Sequence, residues 1–328
     1  MKIAGKALFP FQPFTFSTKP TASVTDVQLM LVKEFNQNIT DNNMEFEEVP
    51  CLCGGTEFRL IASVDRYAML QKTVLCTTCG LIQSNPRMTE SQCRSFYTSD
   101  LYRRCYEGDD YIRTVRNRKY DDDSGLHIFD AINKIKKIMP GMTVIELGAG
   151  GGWNLLPFAK AGAKTLGIEL SPSLVGMGRE HGMEMIQGDV GSIAGIYDVV
   201  ILNHVLEHLS DPIGALKNIT EHMSDSSIIY IGVPNIMNFS MAQLQNAHMY
   251  YFTPWTFEYY CSRAGLMLIT RGSAQKTHMF GIFSKNICVK CGTLKKHYLQ
   301  IRLCFWFIKL KYYIKAILAK LGIKRADR

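Results

Sequence analysis

Three groups of residues carry types and spacings that could do chemistry. Cys51-x-Cys53-Gly and Cys76-x-x-Cys79-Gly stand 22 residues apart and offer four thiolates in two tight pairs. That is the soft donor set zinc takes in a tetrahedron, and four cysteines close the shell, so such an ion would be structural. TVIELGAGGGWN (143–154) runs an apolar stretch into Gly148, Gly150 and Gly152. Glycines there let the backbone turn tightly and let a ligand come against it. YDVVILNHVLEHLSDP (197–212) holds His204, Glu207 and His208 at i, i+3 and i+4, which a helix starting there would place on one face. A histidine titrates near neutrality and suits a general base, and His204 is the first candidate. His208 has two readings, a helix cap or a ring packed behind a ligand. The spacing of the trio also occurs commonly without metal.

The elements that must position these residues follow from periodicity. Ile128, Ile132, Ile135 and Ile138 recur at helical spacing, so a helix is expected over 125–139, stopped by Pro140-Gly141. Apolar runs at 143–147, 165–169, 184–187, 197–202 and 228–233 alternate with segments that can be helical. That rhythm predicts an α/β fold, a parallel sheet with helices on both faces. A helix over 253–264, ended by Gly265, precedes two further apolar runs at 266–270 and 280–289. No internal repeat is present.

A dinucleotide-binding turn reads G-x-G-x-x-G, and its third glycine would fall on Trp153. The spacing is instead E-x-G-x-G-x-G from Glu146, and TLGIELS places Glu169 at the tip of the next strand. This resembles the class I S-adenosylmethionine-dependent methyltransferases over about residues 125–290. The resemblance implies a seven-stranded Rossmann-like sheet with an antiparallel last strand. It implies that Gly148, Gly150 and Gly152, with Glu146, lie under the methionine part of the cofactor, and that Glu169 takes the ribose hydroxyls. It adds Asn203, at the end of the fourth strand, to the cofactor side. Asp189, in IQGDV, is either an adenine contact or a turn aspartate. QLQNAHMYYFTPWTF resembles the segment before the last helix of sugar methyltransferases, whose Tyr-x-Glu-His pattern is matched here only by His248. Gln245 and Ala247 stand where the phenol and acid would be, which weighs against carbon methylation. His248 is a substrate-side candidate or a core histidine. Tyr102 and Tyr106, in SFYTSDLYRRCYEG, belong to a lid in relatives or pack as ordinary aromatics. CGLIQSNPRMTESQCRSFYTSDLY resembles the zinc-ribbon leader found before such domains, although its first knuckle is one residue short.

The expected organisation is 1–48 without a firm fold, 49–86 a zinc-ribbon-like module, 87–124 a linker or lid, 125–292 the methyltransferase domain, and 293–328 a basic amphipathic helix. A third pair, Cys288-x-x-Cys291-Gly, cannot fill a zinc site alone, and Cys93, Cys105, Cys261 and Cys304 read as isolated thiols.

The chain has 328 residues, 47% hydrophobic and 20% charged, which excludes a disordered or fibrous protein. Its net charge of +8 is localised. Ten of the 37 Lys and Arg, and one of the 29 acids, lie in 293–328, which leaves the body about neutral. Nucleic acid is therefore an unfavoured partner, since the body has no basic excess and N-H-V-L stands where base-methylating enzymes resemble N-P-P-Y. The aromatic, lysine-bearing tail fits a membrane surface or packing against protein. Pro10 and Pro13 interrupt any signal-peptide core, and clustered cysteines fit a reducing, cytoplasmic setting. The function expected is methyl transfer from S-adenosylmethionine to a hydroxyl, less so a carbon, of a nucleotide sugar or surface-glycan intermediate. RNA methylation and a non-catalytic scaffold are the alternatives, and the intact glycine turn and Glu169 argue against the scaffold.

Overall fold

The computed structural model describes residues 2–4, 20, 22–99, 101–108, 125–238, 243–275, 277–285, 297–304 and 306. Seven strands form the larger sheet: β7 (Thr143–Leu147), β8 (Lys164–Glu169), β9 (Met185–Gln187), β10 (Tyr197–Asn203), β11 (Met223–Pro234), β13 (Leu266–Gln275) and β14 (His278–Lys285). Their order is β13-β14-β11-β10-β7-β8-β9, with β14 antiparallel to both neighbours and the remaining pairs parallel. This is the α/β sheet the apolar runs predict.

Strand β10 shows why its sequence is an unbroken apolar run. Val199 and Ile201 join the core against α4 (Leu126–Ile135), while Val200 and Leu202 join the core against α7 (Pro212–Glu221) and α8 (Pro254–Arg263). A strand covered on both faces needs apolar residues at both parities. All four side chains are fully buried, and the strand ends at Asn203 at the mouth of the sheet.

Helix α4 stops at Ile135, short of the 139 expected. Lys136 turns extended, and the Asn133 side-chain oxygen accepts from the Ile138 N–H at 2.9 Å, so a local side-chain bond replaces the last helical turn. Strand β11 begins five residues before its apolar run because Ser224 and Ser227 satisfy each other across a polar start. Strand β13 outruns its apolar signal because it is an edge strand, with Met267 and Ile269 exposed on one side.

The N-terminal half is more ordered than its sequence suggests. Helix α1 (Asp26–Thr40) starts at a capping box made by Thr25 and Gln28 and buries Val32 and Phe35. The segment expected as a linker or lid contains α2 (Glu90–Thr98) and α3 (Leu101–Glu107); its residues 109–124 lie outside the described residues. A second sheet runs β1 (Lys2–Ala4), β3 (Glu57–Val64), β4 (Leu70–Cys76), β5 (Ile82–Ser84), β12 (Tyr250–Tyr251). Its last strand comes from far along the chain, pairing Tyr250 with Gln83 and Tyr251 with Ile82. The cysteine-bearing sheet and the larger α/β unit therefore share strands and core rather than standing apart, and Cys76, Cys79 and Phe58 pack in the same cluster as Phe257 and Tyr260.

Residues 297–304 are helical, and Ile301 is buried against Ile61, Leu75 and Tyr251 of the second sheet. Most of the basic tail, and Cys288 and Cys291, lie outside the described residues. Among the described residues no helix is long and apolar enough to cross a membrane.

Candidate active site

The glycine turn is pinned to the end of β8. Gly148 and Ala149 donate their N–H groups to the Ile168 carbonyl at 2.8 and 2.9 Å, and Gly150 donates to Glu169 Oε2 at 2.9 Å. Gly148 has a φ of +69°, and a Cβ there would stand 2.4 Å from Val205 Cγ2, so the turn and the segment after β10 approach as closely as glycine permits. Glu169 Oε1 accepts from the Ser171 N–H at 2.9 Å. Each of its oxygens thus spends one acceptor site on backbone and keeps another for a ligand.

Two cavities meet at this turn. The first, of about 480 Å³, is lined by Gly148, Glu169, Leu170, Gly188, Asp189 and Val190 from the strand ends, with Arg94 and Tyr97 above. The second, of about 510 Å³, is lined by Gly150, Trp153, Asn203, Glu207, His248 and His278. Gly148, His204, His208, Tyr102 and Arg103 border both. Asp189 caps the short turn after β9 through Gly191 N–H (2.9 Å) and also pairs with Arg94 of α2 at 2.7 Å. The Arg94 guanidinium holds its carboxyl below the ordinary range.

Glu146 does not reach either cavity. It is buried, and its Oε1 accepts from Asn154 Nδ2 at 2.7 Å; Asn154 in turn lines the second cavity. Its link to the site is therefore one residue removed from the direct cofactor contact expected of it. Gly152 has a φ of +79° and packs against Met183 and Met185, closing the turn from behind. Of the lid tyrosines, Tyr102 borders both cavities, while Tyr106 is buried on Tyr67 and donates to Asp65.

The histidine segment does not begin as a helix. His204 takes a left-handed φ of +58°, its N–H bound to the Gly232 carbonyl at 2.9 Å, and a single 3₁₀ turn, Leu206–His208, follows. A non-glycine residue held there costs about 1 kcal/mol or more and recurs at functional sites. The twist brings His204 Nδ1 within 3.2 Å of Glu207 Oε1. Glu207 is 1% exposed. Burial pushes its carboxyl up, but the hydrogen bond from His204 and the surrounding imidazoles outweigh this and hold it below the ordinary range. Burial also lowers His208 and His248, which are therefore neutral near pH 7, and the hydrogen bond that Glu207 accepts comes from His204.

His208 Nδ1 lies 2.9 Å from the Ala247 carbonyl and 2.5 Å from the Tyr97 hydroxyl. A carbonyl only accepts, so Nδ1 carries the proton and Nε2 keeps its lone pair. His248 stacks edge-on against His208 at 4.7 Å, and its carbonyl accepts from Ser84 Oγ of β5 at 2.6 Å. His278, the first residue of β14, packs on His204 at 4.8 Å. No sequence signal marked His278, because only the antiparallel return of β14 beside β11 brings it to the strand ends. Glu207, His208 and His248 each offer a ligand atom, all within 4.8 Å of one another, a spacing a divalent cation could bridge.

The four cysteines converge away from these cavities. Cys51 and Cys79 sulfurs stand 3.5 Å apart, Cys53 and Cys76 3.7 Å, and all four lie within 4.8 Å of one another. A tetrahedron with Zn–S bonds of about 2.3 Å has edges of about 3.8 Å, whereas a disulfide needs about 2.05 Å. The donor set therefore fits zinc. The short Cys51-x-Cys53 knuckle still aims both sulfurs inward because Gly54, at φ +83°, closes it with an N–H to the Cys51 carbonyl at 2.7 Å. Gly55 and Leu81 N–H groups and the Tyr260 hydroxyl donate to the sulfurs, the outer shell a thiolate site requires.

Sheet order, glycine turn and acid-tipped second strand define a class I S-adenosylmethionine-dependent methyltransferase domain. Residues 117–271, just under half of the chain, match the family model described as a methyltransferase domain. Ubiquinone biosynthesis O-methyltransferase of Xanthomonas campestris pv. campestris (strain B100) is 26% identical over 168 residues, 46% of this chain and 66% of that protein. The protein of the same name from Methylococcus capsulatus is 28% identical over 136 residues, 36% of this chain and 57% of that protein. The chain thus matches less than two thirds of the length of these relatives. Among solved structures, 1,6-didemethyltoxoflavin-N1-methyltransferase of Burkholderia thailandensis aligns with a TM-score of 0.47 at 15% identity, covering 63% of this chain and 96% of that one. Magnesium protoporphyrin IX methyltransferase of Synechocystis PCC 6803 aligns with a TM-score of 0.46 at 15% identity, over 60% and 100%.

Proposed function

We propose that this protein transfers a methyl group from S-adenosylmethionine to a hydroxyl of a small polar acceptor, a nucleotide sugar or surface-glycan intermediate. The observation that carries the reading is the His204–Glu207 pair at the wall shared by the two cavities. The first cavity takes the cofactor, with Glu169 on the ribose, Asp189 toward the adenine and Gly148, which borders both cavities, under the methionine part. Bound there, the cofactor supplies an electrophilic methyl on a sulfonium. The second cavity takes the acceptor. Glu207 holds the His204 Nδ1–H, which fixes the tautomer and leaves the Nε2 lone pair for the acceptor hydroxyl. With the cofactor bound, the acceptor oxygen would displace the methyl carbon from the sulfur, leaving S-adenosylhomocysteine, while His204 Nε2 would take the hydroxyl proton and Glu207 would stabilise the imidazolium. His208, neutral and tethered to Ala247, and His248 line the acceptor side. Holding hydroxyl and methyl in line supplies much of the acceleration. The relatives' designation as O-methyltransferases favours oxygen over carbon.

Label from methyl-labelled S-adenosylmethionine is expected in nucleotide sugars or lipid-linked glycans offered as a panel, as a methyl ether. Transfer to RNA alone, or to none of the panel, would overturn the acceptor class.

We further propose that Cys51, Cys53, Cys76 and Cys79 hold one structural zinc. Metal analysis of the purified chain should give one zinc per molecule, and Cys79→Ser should lose it with a drop in melting temperature of about 5 °C or more, since a structural zinc contributes folding free energy outright. A zinc-free wild type with an unchanged melting temperature would remove the ion.

A further inference from the structure

Two buried polar atoms of the second cavity's wall have nothing to answer them. Glu207 Oε2 and His248 Nδ1 lack a hydrogen-bond partner among the described residues, although Glu207 is only 1% and His248 only 7% exposed. A buried polar atom left unpaired carries its full desolvation penalty, so two of them on neighbouring side chains call for a bound group.

His208 is the third member of the cluster. Its Nδ1–H is spent on the Ala247 carbonyl at 2.9 Å, and its Nε2 comes within 4.0 Å of Glu207 Oε1. An imidazole tethered through one nitrogen to a backbone carbonyl and bare at the other is how proteins hold metal-ligating histidines. Glu207 and His208 lie on the 3₁₀ turn after β10, and His248 stands two residues before β12. There the His248 N–H donates to the Gln245 carbonyl at 2.9 Å, and its carbonyl accepts from Ser84 Oγ at 2.6 Å, so the backbone that carries the ring is fixed at both ends.

One ligand atom from each residue lies within 4.8 Å of the other two. An ion with bonds of about 2.0–2.2 Å sets adjacent ligands about 3–3.5 Å apart, so the trio closes on it with side-chain movements of about 1 Å. Glu207 has an oxygen for each task, since Oε1 accepts from His204 and Oε2 is unspent. Two imidazoles and one carboxylate suit zinc, iron(II) or cobalt(II) rather than magnesium or calcium, and three protein ligands leave a coordination position open.

We propose that Glu207, His208 and His248 form a binding site for one divalent transition-metal cation, open to the second cavity. When bound, the ion takes the acceptor oxygen in its open position and makes that hydroxyl more acidic, which eases the passage of its proton to His204. This use rests on the methyltransferase reading, whereas the site itself does not. Three ligands with one formal charge hold an ion less tightly than four thiolates, so the site is read by titration rather than from the metal that purifies with the chain.

Co²⁺ titrated into the full chain, with zinc already in the cysteine cluster, tests the proposal by visible absorption. One cobalt per chain should bind, giving visible bands without the near-ultraviolet thiolate charge-transfer band that cobalt on the cysteines would show. Loss of an outer-shell partner alone weakens a metal site about 10–100-fold, so His248→Gln, which removes a ligand, should weaken cobalt about a hundredfold or more. His248 does not line the first cavity, so S-adenosylhomocysteine affinity should stay within about twofold in this variant, which also reports a folded site. The His208→Gln, His248→Gln double variant should bind no cobalt at this site. Absence of a second metal from the wild type, thiolate bands alone, or unchanged cobalt affinity in the double variant would overturn the proposal. Cobalt bound as expected by a wild type that does not bind S-adenosylhomocysteine would keep the metal site and sink the methyltransferase reading instead.

Discussion

Glu169→Lys should lower the affinity for S-adenosylmethionine by about a hundredfold or more. Two hydrogen bonds from ribose hydroxyls to an ionised carboxylate are worth about 1.5–3 kcal/mol each, so losing both removes at least about 3 kcal/mol. The carboxylate also accepts from the Gly150 and Ser171 N–H groups, so the substitution loosens the turn that shapes the cavity floor. Glu169→Gln separates the two contributions. Its amide oxygen can keep one backbone bond, and the expected loss is about tenfold. Calorimetry with circular dichroism as a folding control reads both, and an unchanged dissociation constant for the lysine variant would remove Glu169 from the ribose site.

His204→Asn is expected to cut kcat by about 10²–10⁴ while leaving cofactor affinity within a few-fold, the usual range for loss of a general base. Asparagine is chosen because it tolerates the left-handed backbone that His204 adopts, so the drop is not a folding effect. Glu207→Gln acts through His204. Without the carboxylate the His204 Nδ1–H loses its acceptor and the imidazolium its partner, so kcat should fall about tenfold or more. A kcat within about twofold of the wild type would remove Glu207 from the reaction. A fall of less than about fivefold in His204→Asn would exclude His204 as the base.

The fold was legible where burial imposes a period. Strand β10 declared itself because both of its faces are covered, and α8 because Thr253 and Gly265 punctuate it. The glycine turn was legible because backbone geometry demands those residues, and Glu169 because it sits at a fixed distance from them. What the sequence hid is non-local. Tyr97 meets His208 across 111 residues, and Arg66 meets Gln245 across 179. Strand β12 is two residues long, too short to show a period, yet it ties His248 to the cysteine-bearing sheet. The expected helix over His204–His208 failed for a local reason: the left-handed turn at His204 binds its N–H to Gly232 of the neighbouring strand, a partner no helical rule foresees.

Those long-range contacts give the N-terminal half a place in the site. Tyr97, Tyr102, Arg66 and Arg103 close over cavities whose floor is the methyltransferase sheet. The cysteine cluster is joined to α8 by the Tyr260 hydroxyl, which donates to Cys79 Sγ at 3.2 Å.

Equilibrium binding of S-adenosylmethionine to the purified, zinc-replete, full-length wild type tests the central claim most directly. One site per chain is predicted, with a dissociation constant in the range of about 1 µM to 1 mM typical of enzyme substrates. No heat of binding at cofactor concentrations above about 1 mM would contradict it.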